Sequence, residues 1–350
     1  MHFLSYCGTQ NAIPFQIKNI MKSPFTGGVV NLKCENSELT YRKEKFQTFQ
    51  TYYVCEDTGE TFTTDELDEI NLKFVHNEYR LKYGIPFPDE IKSTRKKYGL
   101  SASKMAVILG FGDNQYRLYE NGDMPSVANG KVLTAIKDVE FFRNLFITSI
   151  NQFDEMEFVK IKQKLDDIVS LGNSDIEEKS KLIFEGYTRG VFNGYAVQSY
   201  SKLKNTILFF LEKMGATFHT KMNKLLFFTD FLSYKRRGEG FTGLAYKAIQ
   251  YGPVPVCWDR VYALIDDLES IEDEVFDYVG TKLVSTISPD MSSFSEEEKE
   301  LLNEVVAKFK NYNSKMMTKY SHEEAAWINN KDSKHLITYS EAFTLRDFNL

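Results

Sequence analysis

The sequence predicts a multidomain protein, mainly α with small β elements. Three observations carry that class. Apolar residues recur at helical spacing through most of the chain. Strand-like alternation is confined to Gly27 to Glu60 and to a Gly- and Pro-rich stretch from Gly238 to Val256. The composition, 350 residues with 42% hydrophobic and 26% charged content, is that of an ordinary globular chain of two or three domains.

Val29 to Leu32 and the Thr-, Tyr- and Phe-rich stretch from Phe46 to Val54 read as strands, bounded by Gly27-Gly28 and Asp57-Thr58-Gly59. Thr64 then opens a helix with Leu67, Ile70 and Phe74 on one side, ending at Tyr83-Gly84 before Pro86 and Pro88. These pieces make a unit at 21–85. Four short helices follow at 86–150: Asp89 to Tyr98, Ser101 to Leu109, Asp113 to Tyr119, and Ser126 to Phe146. Two more, Asp154 to Val169 and Ser174 to Tyr187, form a helical connector at 151–200, with Ser174 as the cap of the second. The last unit, 201–350, holds helices at Leu203 to Lys213 and Lys221 to Lys235, a hairpin around Tyr246 to Tyr251, and a helix from Val256 to Leu268. A further helix begins at the Ser295 to Glu298 capping box. The acidic run from Asp266 to Asp277 reads as a solvated face.

Charge is uneven. The whole chain carries −6, which argues against a protein that coats nucleic acid along its length, yet Ile91 to Phe146 carries a net +4. Within that segment Ser101 caps one helix, Gly110-Phe111-Gly112 makes a turn, and Asn114 to Glu120 forms the next helix, the length pattern of a helix-turn-helix. Asn114, Gln115 and Arg117 are side chains that can read base edges from the start of a recognition helix. Ser103, Lys104, Arg95, Lys96 and Lys97 are placed to meet the backbone. The ending Leu118-Tyr119-Glu120-Asn121-Gly122 resembles the helix-turn-helix of bacterial antitoxins and phage repressors. Upstream, Ser23 to Gly28 and Cys55 to Gly59 resemble the two knuckles of the zinc ribbon of MqsA-type antitoxins, where each knuckle is CxxC. Ser23, Thr26 and Thr58 stand at three of the four ligand positions, and only Cys55 could bind zinc. The resemblance therefore implies a degenerate ribbon held by aromatic packing rather than metal, the alternative being a site rescued by Cys34 and a nearby His; because Met21-Lys22 matches where such ribbons begin, it also implies that residues 1–20 are an added N-terminal arm. The MqsA-type pattern carries its Arg one residue later than Arg117, where this chain has Leu118.

A second resemblance covers Ser201 to Trp327. Lys224 to Phe231, Phe241-Thr242-Gly243, Tyr251-Gly252-Pro253-Val254-Pro255 and Ser321 to Trp327 resemble the Panacea (SocA-like) domain. The expected fold is then a β ribbon, a helix-turn-helix and a mostly helical Panacea-like domain with a β hairpin. In that family Lys224, Asp230, Tyr251, Gly252, Pro253, His322, Glu323 and Trp327 stand at motif positions, read here as architecture. The resemblance implies an antitoxin that neutralises a neighbouring toxin by direct binding and represses its own operon. The alternative is a transcription regulator whose C-terminal domain binds another partner or acts as a proteolysis adaptor. Tyr234, Arg236, Arg237 and Phe241 are the candidate toxin contacts, as aromatic anchors with charged neighbours. The partners expected are a cognate toxin, operator DNA and, on a palindromic operator, a second copy of the chain.

Other classes lack their signatures. No GxSxG, Walker loop or HExxH occurs, and no enzyme, metal site or cofactor is expected. Cys7, Cys34, Cys55 and Cys257 form no CxxC pair and read as reduced thiols. The longest apolar runs fall far short of the ~20 residues of a membrane span. Met1 to Gln10 lacks the pattern of a signal peptide, so a cytoplasmic protein is expected.

Overall fold

The computed structural model describes residues 21–171, 175–184, 187–275, 278–332 and 335–348. The expected arm at 1–20 and the cap at Ser174 lie outside the described residues. The architecture is mainly helical, with three small antiparallel sheets.

The first sheet is a long ribbon, β1 (Val30–Tyr41) against β2 (Glu44–Cys55), with β3 (Thr61–Phe62) on its edge. Both long strands exceed the alternation visible in the sequence, because the middle of β1 is polar on both faces and its turn lacks Gly and Asn. Arg42 and Lys43 both take positive φ, 49° and 70°, the conformation of a tight two-residue hairpin loop that ordinarily selects Asn-Gly. Tertiary contacts offset that strain. The Arg42 guanidinium donates to Pro125 O and Met124 O, each at 2.9 Å, and lies over the Tyr41 and Tyr79 rings.

Helix α1 (Asp65–Tyr83) starts at the Thr64 cap and stops at Gly84, as expected. Its apolar side, Leu67, Ile70 and Phe74, is buried, and Asn71 fastens it to the ribbon. The Asn71 side-chain carbonyl accepts from Thr51 N and Thr51 Oγ1 at 2.8 Å, while its amide donates to Thr51 O at 2.9 Å.

Five short helices follow: α2 (Pro88–Tyr98), α3 (Ala102–Leu109), α4 (Gln115–Glu120), α5 (Val127–Ala135) and α6 (Val139–Ile147). The stretch 126–146, expected as one helix, is two. Asp138 is the reason: its carboxylate accepts from Phe141 N at 2.7 Å and starts α6 anew. These helices close a core of their own around Tyr98, which stacks on Phe142 at 4.2 Å and donates to Ile136 O at 2.6 Å. Helix α7 (Glu155–Leu171) completes that core with Ile161 and Leu165.

In the C-terminal half, α8 (Asp175–Phe184) and α9 (Tyr200–Met214) lead through β4 (Thr217–Phe218) into α10 (His219–Arg237). From Lys221 to Lys235 every residue of α10 is buried, so α10 is a central helix surrounded on all sides. Around it stand α9, the hairpin β5 (Tyr246–Ile249) and β6 (Gly252–Pro255), α12 (Glu296–Phe309), α13 (Ser314–His322) and a 3₁₀ turn at Tyr339–Thr344. Helix α11 (Trp258–Leu264) ends earlier than expected. The acidic run beyond it is partly a strand: β7 (Glu269–Val275) pairs with β8 (Tyr278–Val284), which also carries β4. Helix α14 (Ala325–Ile328) and β9 (Leu336–Ile337), on the edge of β5, close the chain.

One core runs from the N-terminal ribbon into the C-terminal half. Phe74 of α1 stacks on Tyr234 of α10 at 5.5 Å and meets Phe343 edge-on, while Lys73 donates to Arg237 O at 2.7 Å. Phe74→Ala is therefore expected to cost about 3–5 kcal/mol of stability, measured as a shift in the urea midpoint of the whole chain. A shift equivalent to less than about 1 kcal/mol would show that α1 is not integral to this core.

Candidate functional site

Asp230 sits in the middle of α10, fully buried, and its carboxylate accepts four hydrogen bonds. Oδ1 takes Phe241 N and Thr242 N, each at 2.7 Å; Oδ2 takes Thr242 Oγ1 at 2.5 Å and Tyr246 OH at 2.6 Å. Burial pushes this carboxyl up, and the donors from Thr242, Tyr246 and Phe241 pull it back. The result is a clasp that fixes the loop after α10 and the first residue of β5.

A second cluster forms one turn and more toward the start of α10. Thr220 and Tyr251 face Ser314, Lys315, Thr318, Lys319, His322 and Glu323 across a surface cleft of about 580 Å³. The five residues from Ser314 to His322 lie at helical spacing on one face of α13. Tyr251 is the exposed tip of the β5–β6 turn, at 61%. Gly252 follows at φ 105°, a conformation open to glycine, and a side chain there would collide: its Cβ would stand 2.7 Å from Ser321 Oγ and 3.0 Å from Lys224 Cε. His322 lies flat on Trp327 at 3.8 Å, and Trp327 Nε1 donates to Ile249 O at 2.8 Å. Burial, and then the charge of Lys224, hold the His322 ring below its usual range. Glu323 is taken by Arg346 at 2.9 Å.

The basic helices present a different surface. Asn114, Arg117, Ser103, Lys96 and Lys97 are exposed, and Gln115 is half-buried. Two of the residues expected to meet phosphate are instead tied down. Arg95 makes a two-pronged pair with Glu120, at 2.5 and 3.0 Å, and donates to Leu100 O, so it clamps α2 to α4. Lys104 pairs with Glu157 of α7. The reason lies in acidic side chains distant in sequence, which a local charge count does not see.

At the base of the ribbon, two six-residue turns repeat one hydrogen-bond pattern. Ser23 N donates to Gly28 O and Gly27 N to Ser23 O; Cys55 N donates to Glu60 O and Gly59 N to Cys55 O. The turns converge on Cys55, whose thiol is held down to about 6 by the hydroxyls of Ser23, Thr58 and Thr26, the last at 3.5 Å. One thiol among three hydroxyls does not fit structural zinc, which needs four soft or imidazole ligands. Cys34 lies four residues along β1, opposite Thr51, away from this cluster, and burial pushes its thiol up to about 12. Among the described residues no group of three or more His, Cys, Asp or Glu side chains is arranged to hold a metal ion, and no helix is long and apolar enough to cross a membrane.

Residues 222–328 match the family model of the antitoxin SocA-like, Panacea domain. No curated protein and no solved structure matches the chain. The Panacea segment thus begins inside α10, spans both the Asp230 clasp and the cleft, and ends at α14. Its motif residues separate into those two clusters: Asp230 in the clasp, and Lys224, Tyr251, Gly252, Pro253, His322, Glu323 and Trp327 around the turn and cleft.

The residues expected to contact a toxin are placed otherwise. Tyr234 and Phe241 are 0% and 1% exposed; Tyr234 is covered by Phe74, Tyr339 and Phe343, and Phe241 packs on Phe294 beneath Lys202. Arg236 pairs with Glu304 through two bonds, and Arg237 with Glu298. Helical periodicity cannot separate an aromatic anchor from a core residue when the helix is buried on every side, and that correction removes these two aromatics as surface contacts. Thr220, Ser314, Lys315, Thr318 and Lys319 were missed in the sequence. The four-residue spacing of Ser314, Thr318 and His322 is the signal that marks them.

Lys224 carries the most unusual charge of the Panacea segment. It is 0% exposed, its Nζ has no hydrogen-bond partner, and burial pulls its ammonium down to about 7. A lysine whose folded pKa lies below its unfolded value near 10.5 leaves stability intact above that value and lowers it as pH falls toward 7. Lys224→Met is expected to stabilise the protein by about 1–4 kcal/mol at neutral pH. The gain should shrink as pH rises toward about 10, read by urea denaturation across that range. A gain that does not vary with pH would mean that the ammonium is not buried as a free cation.

Proposed function

We propose that the chain is the antitoxin of a toxin–antitoxin pair. The C-terminal half binds a toxin protein and silences it stoichiometrically, without turnover or cofactor, and the helices at 86–150 read operator DNA and repress the operon. The protein acts in the cytoplasm. The observation that carries this reading is the Panacea match over residues 222–328, a segment whose surface holds a shaped cleft. The local positive charge, with Asn114 and Arg117 exposed at the start of a short helix, supports the DNA assignment. On a palindromic operator a second copy of the chain supplies the other half-site.

The test uses the full chain. Because Phe74 and Lys73 cover α10, a fragment beginning near residue 198 would expose Tyr234 and Phe343 and lose part of its core. The protein of the neighbouring reading frame, expressed alone, is expected to arrest growth. Expressed together with this chain it should be harmless and co-purify with it. A toxin that disappears by proteolysis instead of forming a complex would replace the neutralising role with that of a proteolysis adaptor.

For DNA, Arg117→Ala is expected to cost about 1–3 kcal/mol on the operator and to relax base preference, whereas Lys96→Ala weakens all sequences alike. Titrations against operator and random duplexes at fixed salt separate the two. Equal losses on both duplexes for Arg117→Ala would remove it from base reading.

A further inference from the structure

Among the described residues five buried side-chain polar atoms lack a hydrogen-bond partner, and three of them, Lys224 Nζ, Ser314 Oγ and His322 Nε2, lie along this cleft, with Ser314 eight residues and about 12 Å from His322 on α13. Ser314 and His322 line the cleft directly. Lys224 lies one turn along α10 from Thr220, on the same face, and its end stands against Gly252 and Ser321, the immediate neighbours of the lining residues Tyr251 and His322. It is therefore behind the cleft's inner wall, with its charge felt by His322. An unpaired buried ammonium is costly to keep, and it is kept beside an opening to solvent. Lys315 and Lys319 add positive charge at the mouth, with Lys331 near His322. The lone carboxylate lining the cleft, Glu323, is already occupied by Arg346.

We propose that this cleft is a carboxylate-binding subsite, in which the incoming group is bonded by His322 and faced by the Lys224 ammonium. The carboxylate is an acidic side chain or chain end of a bound polypeptide, or a small free acid; both present the same planar, doubly accepting anion. In the antitoxin reading, on which this placement of the toxin rests, an acidic residue of the toxin enters here. Occupancy brings protons with it. Nε2 of His322 is unpartnered, and the backbone of Gln250 favours the charged ring, in which both ring nitrogens donate. Lys224 and His322, both depressed when the cleft holds no anion, gain charge when an anion faces them.

The experiment is calorimetric titration of the full-length protein with acetyl-Gly-Glu-Gly-amide, with its Gln counterpart, and with glutarate, in two buffers of different ionisation enthalpy. The Glu peptide is expected to bind at least tenfold more tightly than the Gln peptide, with net proton uptake near pH 8 and binding weakened at least tenfold by pH 10. Lys224→Met, expected to fold more stably than the parent, should lose the preference for Glu over Gln and the proton uptake. Tighter binding of the peptide than of glutarate places the carboxylate on a polypeptide, and the reverse places it on a small acid; both uphold the subsite. Equal binding of the Glu and Gln peptides, or unchanged binding and proton uptake in Lys224→Met, overturns it. The antitoxin reading is judged separately, by toxin rescue with the parent chain: a Lys224→Met chain that binds no peptide yet still rescues leaves the subsite standing and moves the toxin contact elsewhere.

Discussion

The carboxylate of Asp230 is the point on which the C-terminal half turns. A fully buried anion is tolerated only when donors replace the water it has lost, and here two backbone amides, a hydroxyl and a phenol do so. Because the amides belong to the loop after α10 and the phenol to β5, satisfying the charge dictates where the loop turns and where the β5–β6 hairpin begins. The hairpin in turn sets the Tyr251–Gly252 tip against α13. The clasp thus positions, from within, a cleft that none of its own atoms reaches.

Two kinds of buried charge coexist along α10, and they behave oppositely. Asp230 is saturated with partners and acts as architecture. Lys235 is also satisfied, donating to Leu345 O and Phe348 O at 3.2 and 2.6 Å, and so ties the end of the chain to the central helix. Lys224 has burial without partners, which raises the free energy of the fold without specifying a neighbour. Residues maintained against their own stability concentrate where something must be bound, and the contrast within a single helix makes Lys224 stand out more clearly than its exposure alone.

Much of this plan was legible in the sequence, and the gaps have physical causes. Local signals announced their elements faithfully: Thr64 and Gly84 at the ends of α1, the Ser295 capping box, the Gly and Pro residues of the β5–β6 hairpin. These are features whose chemistry is complete within a few residues. Long-range effects were not legible. The Arg42–Lys43 turn is held by carbonyls more than eighty residues away, and the length of the ribbon hid with it. Helix α10 shows no polar stripe, so its motif residues could be seen while their faces could not, and Tyr234 read as an anchor although it is core. The cleft was half visible: Lys224, Tyr251 and His322 stood in recognisable motifs, whereas Ser314 and Thr318 are ordinary polar residues until α13 is laid beside the hairpin tip.

The all-round burial of α10 also bears on the order in which the protein can be completed. Its neighbours come from α1, from the hairpin that follows it, and from Tyr339 to Phe348 at the far end of the chain. A central helix whose partners are this distant in sequence gains most of its contacts late, after large loops have closed. During synthesis, Phe227, Phe228, Phe231 and Tyr234 emerge from the ribosome more than a hundred residues before Tyr339 and Phe343 arrive to cover them. Until that moment the nascent chain presents an aromatic surface suited to chaperones and proteases.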